Sequence, residues 1–208
     1  MFYFTKTPLW LKMLYPSCLW NYPLGREEKK IYLSFDDGPH ATATPFALDE
    51  LKKYNAKATF FCIGKNVNEE TALYKRILLE GHRVGNHTHN HLNGWKTDNK
   101  IYLQNIEKAR ELIDSDLFRP PYGRATAFQI RNLQEKLHYK VVMWDVLAGD
   151  FDPKVNGKQA AERVIRKSKP GSIIVFHDSA KAWQVLYVAL PIVLAYFSDK
   201  GFSFDTIN

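Results

Sequence analysis

From residue 31 onward the chain alternates between short β-type runs and helical patterns, and this alternation restricts the fold more than any other feature. The β-type runs fall at 31–35, 58–63, 83–86, 117–118, 140–145, 172–176 and 202–204. Helical patterns fill the spaces at 44–54, 69–80, 97–114, 125–138, 158–167 and 181–200. Thr44-Pro45 opens the first helix and Gly81 ends the second. Thr97 is the expected cap of the third, whose apolar stripe reads as Ile101, Gln104, Ile106, Ala109, Leu112 and Ile113. Gly201 ends the last helix, and Pro191 inside it is expected to kink or split it. Strands alternating with helices imply parallel strands joined by crossover helices.

Length then selects among such folds. Of the 208 residues, 178 remain once an arm at 1–30 is set apart from the main domain at 31–208. A full eight-unit barrel takes roughly 250 residues. The expectation is therefore an α/β fold, a distorted (β/α) barrel of about seven parallel strands with outer helices. A doubly wound open sheet is the alternative. Either one places its chemistry beyond the carboxyl ends of the strands.

The arm has a different character. It carries Phe2, Tyr3, Phe4, Trp10, Tyr15, Trp20 and Tyr22 together with Pro8, Pro16 and Pro23. Thr7-Pro8 reads as the N-cap and first position of a short helix at about 8–15. Lys12 interrupts the best apolar stretch and no small-residue cleavage site follows, so no secretory signal is evident. Packing of the arm on the domain is favoured over contact of 1–30 with a membrane surface. No run reaches the roughly eighteen apolar residues of a membrane span. The cytoplasm, or the periphery of a membrane, is the default location.

The net charge of +7 comes from 29 basic and 22 acidic residues, scattered with no run longer than 26–30, which itself holds Glu27 and Glu28. That distribution does not mark a nucleic-acid binder. Cys18 and Cys62 make neither a disulfide framework nor a thiolate zinc site, and Cys62 in an apolar run reads as a small buried hydrophobe. No protein partner is evident.

Polar residues collect where the β-type runs end: Asp36-Asp37, the stretch from His87 to His91, Arg119 to Tyr122, Trp144-Asp145 with Asp150 to Asp152, and His177-Asp178. An Asp-Gly-Pro turn would by itself account for Asp36-Asp37. Adjacent carboxylates nevertheless repel, and a cation beside one would let both ionise. His87 and His91, four apart, meet on one side of a helical turn and with Asp37 make an open Asp-His-His metal site. His89 between them reads as a loop residue at the groove rim. His177 reads either as a hydrogen-bonded core histidine or as a general acid held protonated by Asp150. Arg119 can pair with Asp36 or Asp150. Trp144, Tyr122 and Phe151 read as apolar walls able to stack on sugar rings, or as plain core.

Together these residues resemble the polysaccharide deacetylase family, also called the NodB-homology domain or carbohydrate esterase family four. The likeness spans about 29–206. Its motifs read Ser34-Phe35-Asp36-Asp37-Gly38, His87-Thr88-His89-Asn90-His91, Arg119-Pro120-Pro121-Tyr122 and Val175-Phe176-His177. The family's fourth motif, D-x-x-D-W, keeps only its second acid, because Leu147 and Phe151 stand at its ends and Asp150 remains.

The resemblance implies a distorted seven-stranded barrel and a hydrolase that removes N-acetyl groups from N-acetylglucosamine-type sugars of peptidoglycan, a chitin-like chain or a surface glycan, releasing acetate. It implies one divalent metal, zinc first with cobalt or nickel as substitutes, on Asp37, His87 and His91. Asp36 is then the base, His177 the acid tuned by Asp150, Arg119 the group that holds the base, and the Tyr122 backbone N–H the oxyanion donor. An O-acetyl polysaccharide esterase is the nearest alternative. A non-catalytic carbohydrate-binding protein on the same scaffold and a metal phosphoesterase are further ones.

Overall fold

The computed structural model describes residues 3–25 and 27–208. Phe2, one of the arm's aromatics, and Arg26, in the mixed-charge run, lie outside the described residues, as does Met1. The described residues form eight strands: β1 (Lys30–Asp36), β2 (Ala58–Cys62), β3 (Arg83–Asn86), β4 (Leu117–Phe118), β5 (Lys140–Val141), β6 (Val146–Leu147), β7 (Ile173–His177) and β8 (Ser203–Phe204). Seven of them follow the order β5-β4-β3-β2-β1-β7-β6, and β8 pairs with β1 off that path. Every strand pairing is parallel. Around the sheet lie α1 (Leu9–Leu14), α2 (Ala43–Lys53), α3 (Gly64–Glu69), α4 (Thr71–Leu79), α5 (Asn99–Arg110), α6 (Ala127–Glu135), α7 (Gly157–Lys167) and α8 (Trp183–Asp199). This is the distorted (β/α) barrel of seven parallel strands expected from the alternation.

The run at 140–145 is not one strand. Only its first two residues form β5; β6 begins just past it, and the two strands occupy opposite ends of the sheet although only residues 142–145 separate them. So short a link obliges the sheet to curl until its two ends approach. The arm lies along that seam. Leu19 bridges to Val142, Lys6 to Val146 and Asn21 to Ser172. Backbone bonds run from Leu19 N to Val141 O (2.9 Å), Thr7 N to Asp145 O (2.9 Å) and Tyr22 N to Gly171 O (2.8 Å). Cys18 and Trp20 are buried there.

A buried carboxylate fastens the arm. Asp145 takes Lys6 at 2.6 Å on one oxygen and Lys12 at 2.7 Å on the other, and the Ser172 hydroxyl donates to it at 2.6 Å. Burial alone would raise its pKa, but the hydrogen bonds from Lys12, Lys6 and Ser172 outweigh that and lower it. Its contribution to stability is therefore complete above the ordinary carboxylate range and is lost only as pH falls through the lowered value. Asp145→Asn leaves two ammonium groups without their anion. Removing one member of a buried pair costs about 3–5 kcal/mol, less here because Lys6 reaches solvent. A fall in Tm of roughly 5–15 °C is expected by calorimetry near neutral pH. A shift of only a degree or two would show that the arm is held by other contacts.

β1 shows why the barrel interior can carry chemistry. Ile31, Leu33 and Phe35 point toward the helices and join the core with Leu48, Leu51, Leu190 and Val193. Tyr32 points inward to a smaller cluster with Phe61, Leu117, Val142, Ile173 and Ile207. Ser34 and Asp36, two and four residues further along, share that inward face. Apolar side chains thus fill one end of the barrel and polar ones the other.

Several local expectations are corrected. Pro191 lies inside a single helix, α8, because its buried row of Leu186, Ala189, Leu190, Val193 and Leu194 holds both sides of the proline against the domain. The 69–80 pattern is α4, starting at Thr71, with Glu69 the last residue of the separate α3. Asp98, not Thr97, caps α5, accepting from Lys100 N and Ile101 N. On α5 the buried residues are Tyr102, Ile106 and Ala109, while Ile101 is exposed and Leu112, like Ile113, lies past the helix end. Pro8 rather than Thr7 is the N-cap of α1; the Thr7 hydroxyl donates instead to the Trp144 carbonyl at 2.7 Å.

Candidate active site

Strand register brings the first polar pair together. Asp36 and His177 are register partners on adjacent β1 and β7, so their side chains leave the sheet on one face. Asp37, just past the strand, takes φ 79°. Gly38 follows because there is no room for a side chain: a Cβ there would lie 2.1 Å from Asp178 Oδ2. His87 continues from β3, and Arg119 from β4.

The two histidines meet, but not on a helix. Residues 87–91 form an irregular loop in which Thr88 (φ 65°) and His91 (φ 56°) are left-handed. These two reversals set the imidazole centroids 5.1 Å apart. With Tyr122 (φ 61°), four of the six non-glycine residues at positive φ among the described residues lie in this site. Backbone strain of this kind concentrates where function requires a fixed side chain.

Asp37, His87 and His91 each offer one ligand atom, all within 4.8 Å of one another. His87 Nε2 lies 3.6 Å and His91 Nε2 3.1 Å from Asp37 Oδ1. Each ring has its other nitrogen engaged, His87 Nδ1 with the Arg119 carbonyl at 2.7 Å and His91 Nδ1 with the Tyr122 hydroxyl at 3.1 Å. Both Nε2 atoms are thus free to face Asp37, whose buried Oδ1 makes no hydrogen bond of good geometry. Burial would raise the Asp37 carboxyl, but the His91 contact and the charges of His177, His87 and His91 hold it well below the usual carboxylate range. Burial pushes His87 down to about 4, so it is neutral near pH 7. Two imidazoles and one carboxylate with open positions suit a divalent metal of the zinc type.

Arg119 is fully buried and committed at every nitrogen. It donates to Asp36 Oδ1 at 2.6 Å, Ser34 Oγ at 2.8 Å, the Val142 carbonyl at 3.2 Å and the Met143 carbonyl at 3.0 Å. Its guanidinium lies 3.9 Å from the Phe61 ring centroid. Asp150 does for His177 what Arg119 does for Asp36. It accepts from His177 Nδ1 at 2.8 Å and from the His177 backbone N–H at 2.7 Å. Burial would lower His177, but the charge and hydrogen bond of Asp150, helped by Asp37 and Asp36, raise it to about 9.

A cavity of about 350 Å³ is lined by Asp36, Asp37, His87, His91 and His177. Tyr122, Trp144, Phe151, Leu147, Val175, Lys181 and the arm's Tyr3 complete its walls. All three aromatic wall residues read from the sequence are therefore present. Arg119 and Asp150 do not line it. They stand behind Asp36 and His177, to which they are hydrogen-bonded. One reading is corrected: His89 is buried away from the rim, where a Cβ on Gly64 would lie 2.7 Å from its Nδ1.

The family model described as polysaccharide deacetylase matches residues 24–142. The chain belongs to this family. A peptidoglycan-N-acetylglucosamine deacetylase of Bacillus cereus is 32% identical over 203 residues, covering 95% of each chain. A chitooligosaccharide deacetylase of Azorhizobium caulinodans is 30% identical over 201 residues, covering 88% of this chain and 94% of its own. The solved structure of a peptidoglycan N-acetylglucosamine deacetylase bound to a naphthalenyl N-oxidanyl-benzamide superposes with TM-score 0.87 at 32% identity, over 97% of this chain and 95% of that one. The match to the family model ends at β5, whereas Asp150 and His177 lie beyond it, so their place in this polysaccharide deacetylase rests on the geometry above.

Some supporting residues escaped sequence reasoning. Asn66 on α3 donates to the Asp37 carbonyl at 2.7 Å. Asn105 on α5 accepts from the backbone N–H of both His89 and Asn90 at 2.9 Å, holding the histidine loop. Asp178 is fully buried, its pKa raised to about 8 by burial, and it accepts from the Thr44 hydroxyl at 2.5 Å. Two asparagines on helices carry no motif spacing. Only Asp178, beside His177, stood in a recognised cluster.

Proposed function

We propose that this polysaccharide deacetylase is a metal-dependent hydrolase that removes the N-acetyl group from N-acetylglucosamine-type sugars of a polysaccharide and releases acetate. One observation carries the reading: a convergent Asp-His-His donor set shares a cavity with an arginine-held carboxylate and a carboxylate-held histidine. Asp37, His87 and His91 would hold the metal. Zinc fits the donors, with cobalt or nickel as substitutes. When bound, the ion supplies Lewis acidity and lowers the pKa of a water.

The chain's own groups supply the proton chemistry. Asp36, its Oδ1 fixed by Arg119, accepts the proton of the attacking water. The oxygen of that water bonds to the acetamide carbon, and the C–N bond breaks. His177, protonated at neutral pH through Asp150, gives its proton to the leaving nitrogen, so a neutral amine departs. The Tyr122 backbone N–H is the proposed donor to the oxygen that gains charge. Tyr122, Trp144 and Phe151 flank the sugar. The acid also favours amide over ester chemistry, because an amine needs a proton to leave far more than an activated alkoxide does. Glycan chains of the peptidoglycan and chitooligosaccharide kinds, the substrates named for the two relatives, are the first to test.

Metal analysis of purified protein tests the donor set. About one divalent ion per chain is expected after equilibration with zinc, falling to near zero in His87→Ala. Chelation should stop acetate release from an acetylated glucosamine oligomer, and zinc should restore it. Full metal loading of His87→Ala would show that the ion sits elsewhere.

A further inference from the structure

We propose that α1 is an interfacial anchor that docks this protein on an anionic lipid bilayer. The helix is built inside out. Leu9, Trp10, Met13 and Leu14 are 72%, 56%, 70% and 64% exposed. Spaced at one, four and five residues, they share a single face. The helix's charged residue, Lys12, turns inward to Asp145 and Asn21, each at 2.7 Å. A soluble domain normally buries such residues and exposes the lysine. Contiguous exposed apolar surface of this kind marks an interaction site.

The face is held in place rather than loosely attached. Thr7 before it is tied to Trp144 and Asp145, and Cys18 and Trp20 after it are buried. With Trp, Leu and Met on its outer side, it has the chemistry of a helix lying in the headgroup region. No helix among the described residues is long and apolar enough to cross a membrane, so the contact is peripheral.

Charge selects the occupant. The residues leading into the helix run beside a cationic ridge on and just after α7. Lys6 donates to the Lys167 carbonyl at 2.9 Å, and Lys167 bonds to the Thr5 hydroxyl. Arg163 and Arg166 flank Lys167 across a shallow surface hollow, with Glu162 the one acid lining it. Lys169 lies near Lys6. Anionic headgroups complement this ridge. A second copy does not, because an isologous dimer through α1 would bring the two ridges together.

The position has a use. Trp10 and Leu14 line a groove of about 520 Å³ that shares Tyr3, Tyr122, Trp144 and Leu147 with the catalytic cavity. A protein docked through α1 would present the mouth of that cavity close to the bilayer.

The test uses the full chain and vesicles of phosphatidylcholine, with or without about 30% phosphatidylglycerol. Co-sedimentation is expected with the anionic vesicles, weakening roughly tenfold at about 0.5 M salt and at least tenfold in Leu9→Glu/Met13→Glu. Neither replaced residue lines the catalytic cavity or the groove. Circular dichroism and acetate release from a soluble oligomer should therefore match the parent protein. That control separates loss of docking from failure of the deacetylase reading. Equal binding to neutral vesicles, or binding unchanged in the double variant, would overturn the proposal. So would a dimer in sedimentation equilibrium that the double variant abolishes.

Discussion

Asp36→Asn is expected to reduce acetate release by about 10²–10⁴-fold, the range for losing a positioned general base. The amide keeps the shape and volume of the carboxylate but cannot accept the proton. Asp37, His87 and His91 are untouched, so metal content should stay near that of the parent. The substitution also leaves Arg119, which has no exposure, facing a neutral group. Its hydrogen bonds to Ser34, Val142 and Met143 remain, yet removing the anion from a buried pair costs up to about 3–5 kcal/mol. Lower Tm should therefore accompany lost turnover, with metal stoichiometry preserved. This combination separates the role from simple unfolding. Asp36→Asn with more than about a tenth of parental activity would assign the base to another group.

The second large effect is a pH limb owed to His177 and Asp150. His177 titrates at about 9, so the proton donor is present at neutral pH and is lost as pH rises through that value. The turnover number should then fall about tenfold per unit of pH beyond it. Asp150→Asn removes the largest charge that lifts the imidazole and leaves only Asp37 and Asp36 to oppose burial. The limb should move down by roughly two units or more, which makes the variant far weaker at pH 8 than at pH 6. The same group sustains stability in the same sense: the raised pKa contributes fully below about 6.5, and the contribution disappears as pH climbs through about 9. His177→Ala should damage hydrolysis of an N-acetyl sugar by about 10²-fold or more while sparing an activated acetate ester, which needs little proton assistance. An unmoved limb in Asp150→Asn, or equal losses on amide and ester, would remove His177 from the acid role.

Sequence reasoning reached the site because the β-type runs here end abruptly in ionisable residues. Asp36 and His177 end apolar strands, and His87 and Arg119 come directly after the short, largely buried β3 and β4. What it could not reach depends on contacts made through space. Val141, Val142 and Met143 have the composition of one strand, yet β-propensity says nothing about which edge of a sheet each end will join. The break after Val141 became visible only with the pairing partners Phe118 and Ile174 in place. A helical turn was the simplest way to bring His87 to His91, whereas left-handed Thr88 and His91 achieve the same approach without helix. Positive φ at non-glycine residues leaves no mark in the residue type. Asp145 was visible as a strand-end acid, but its two lysines come from an arm more than 130 residues away in sequence. On α5 the stripe failed at its ends because Leu112 lies beyond the helix, where periodicity no longer applies.

Closure of the barrel seam by residues 5–22 bears on how the chain is made. That segment is synthesised well before the edges it must rest on, β5, β6 and the approach to β7. Loop-closure entropy makes contacts so distant in sequence late to form. The arm's aromatics must therefore wait, unseated and solvent-facing, until residues 140–172 have been made, so a stretch spoken early takes its meaning only from words that come much later.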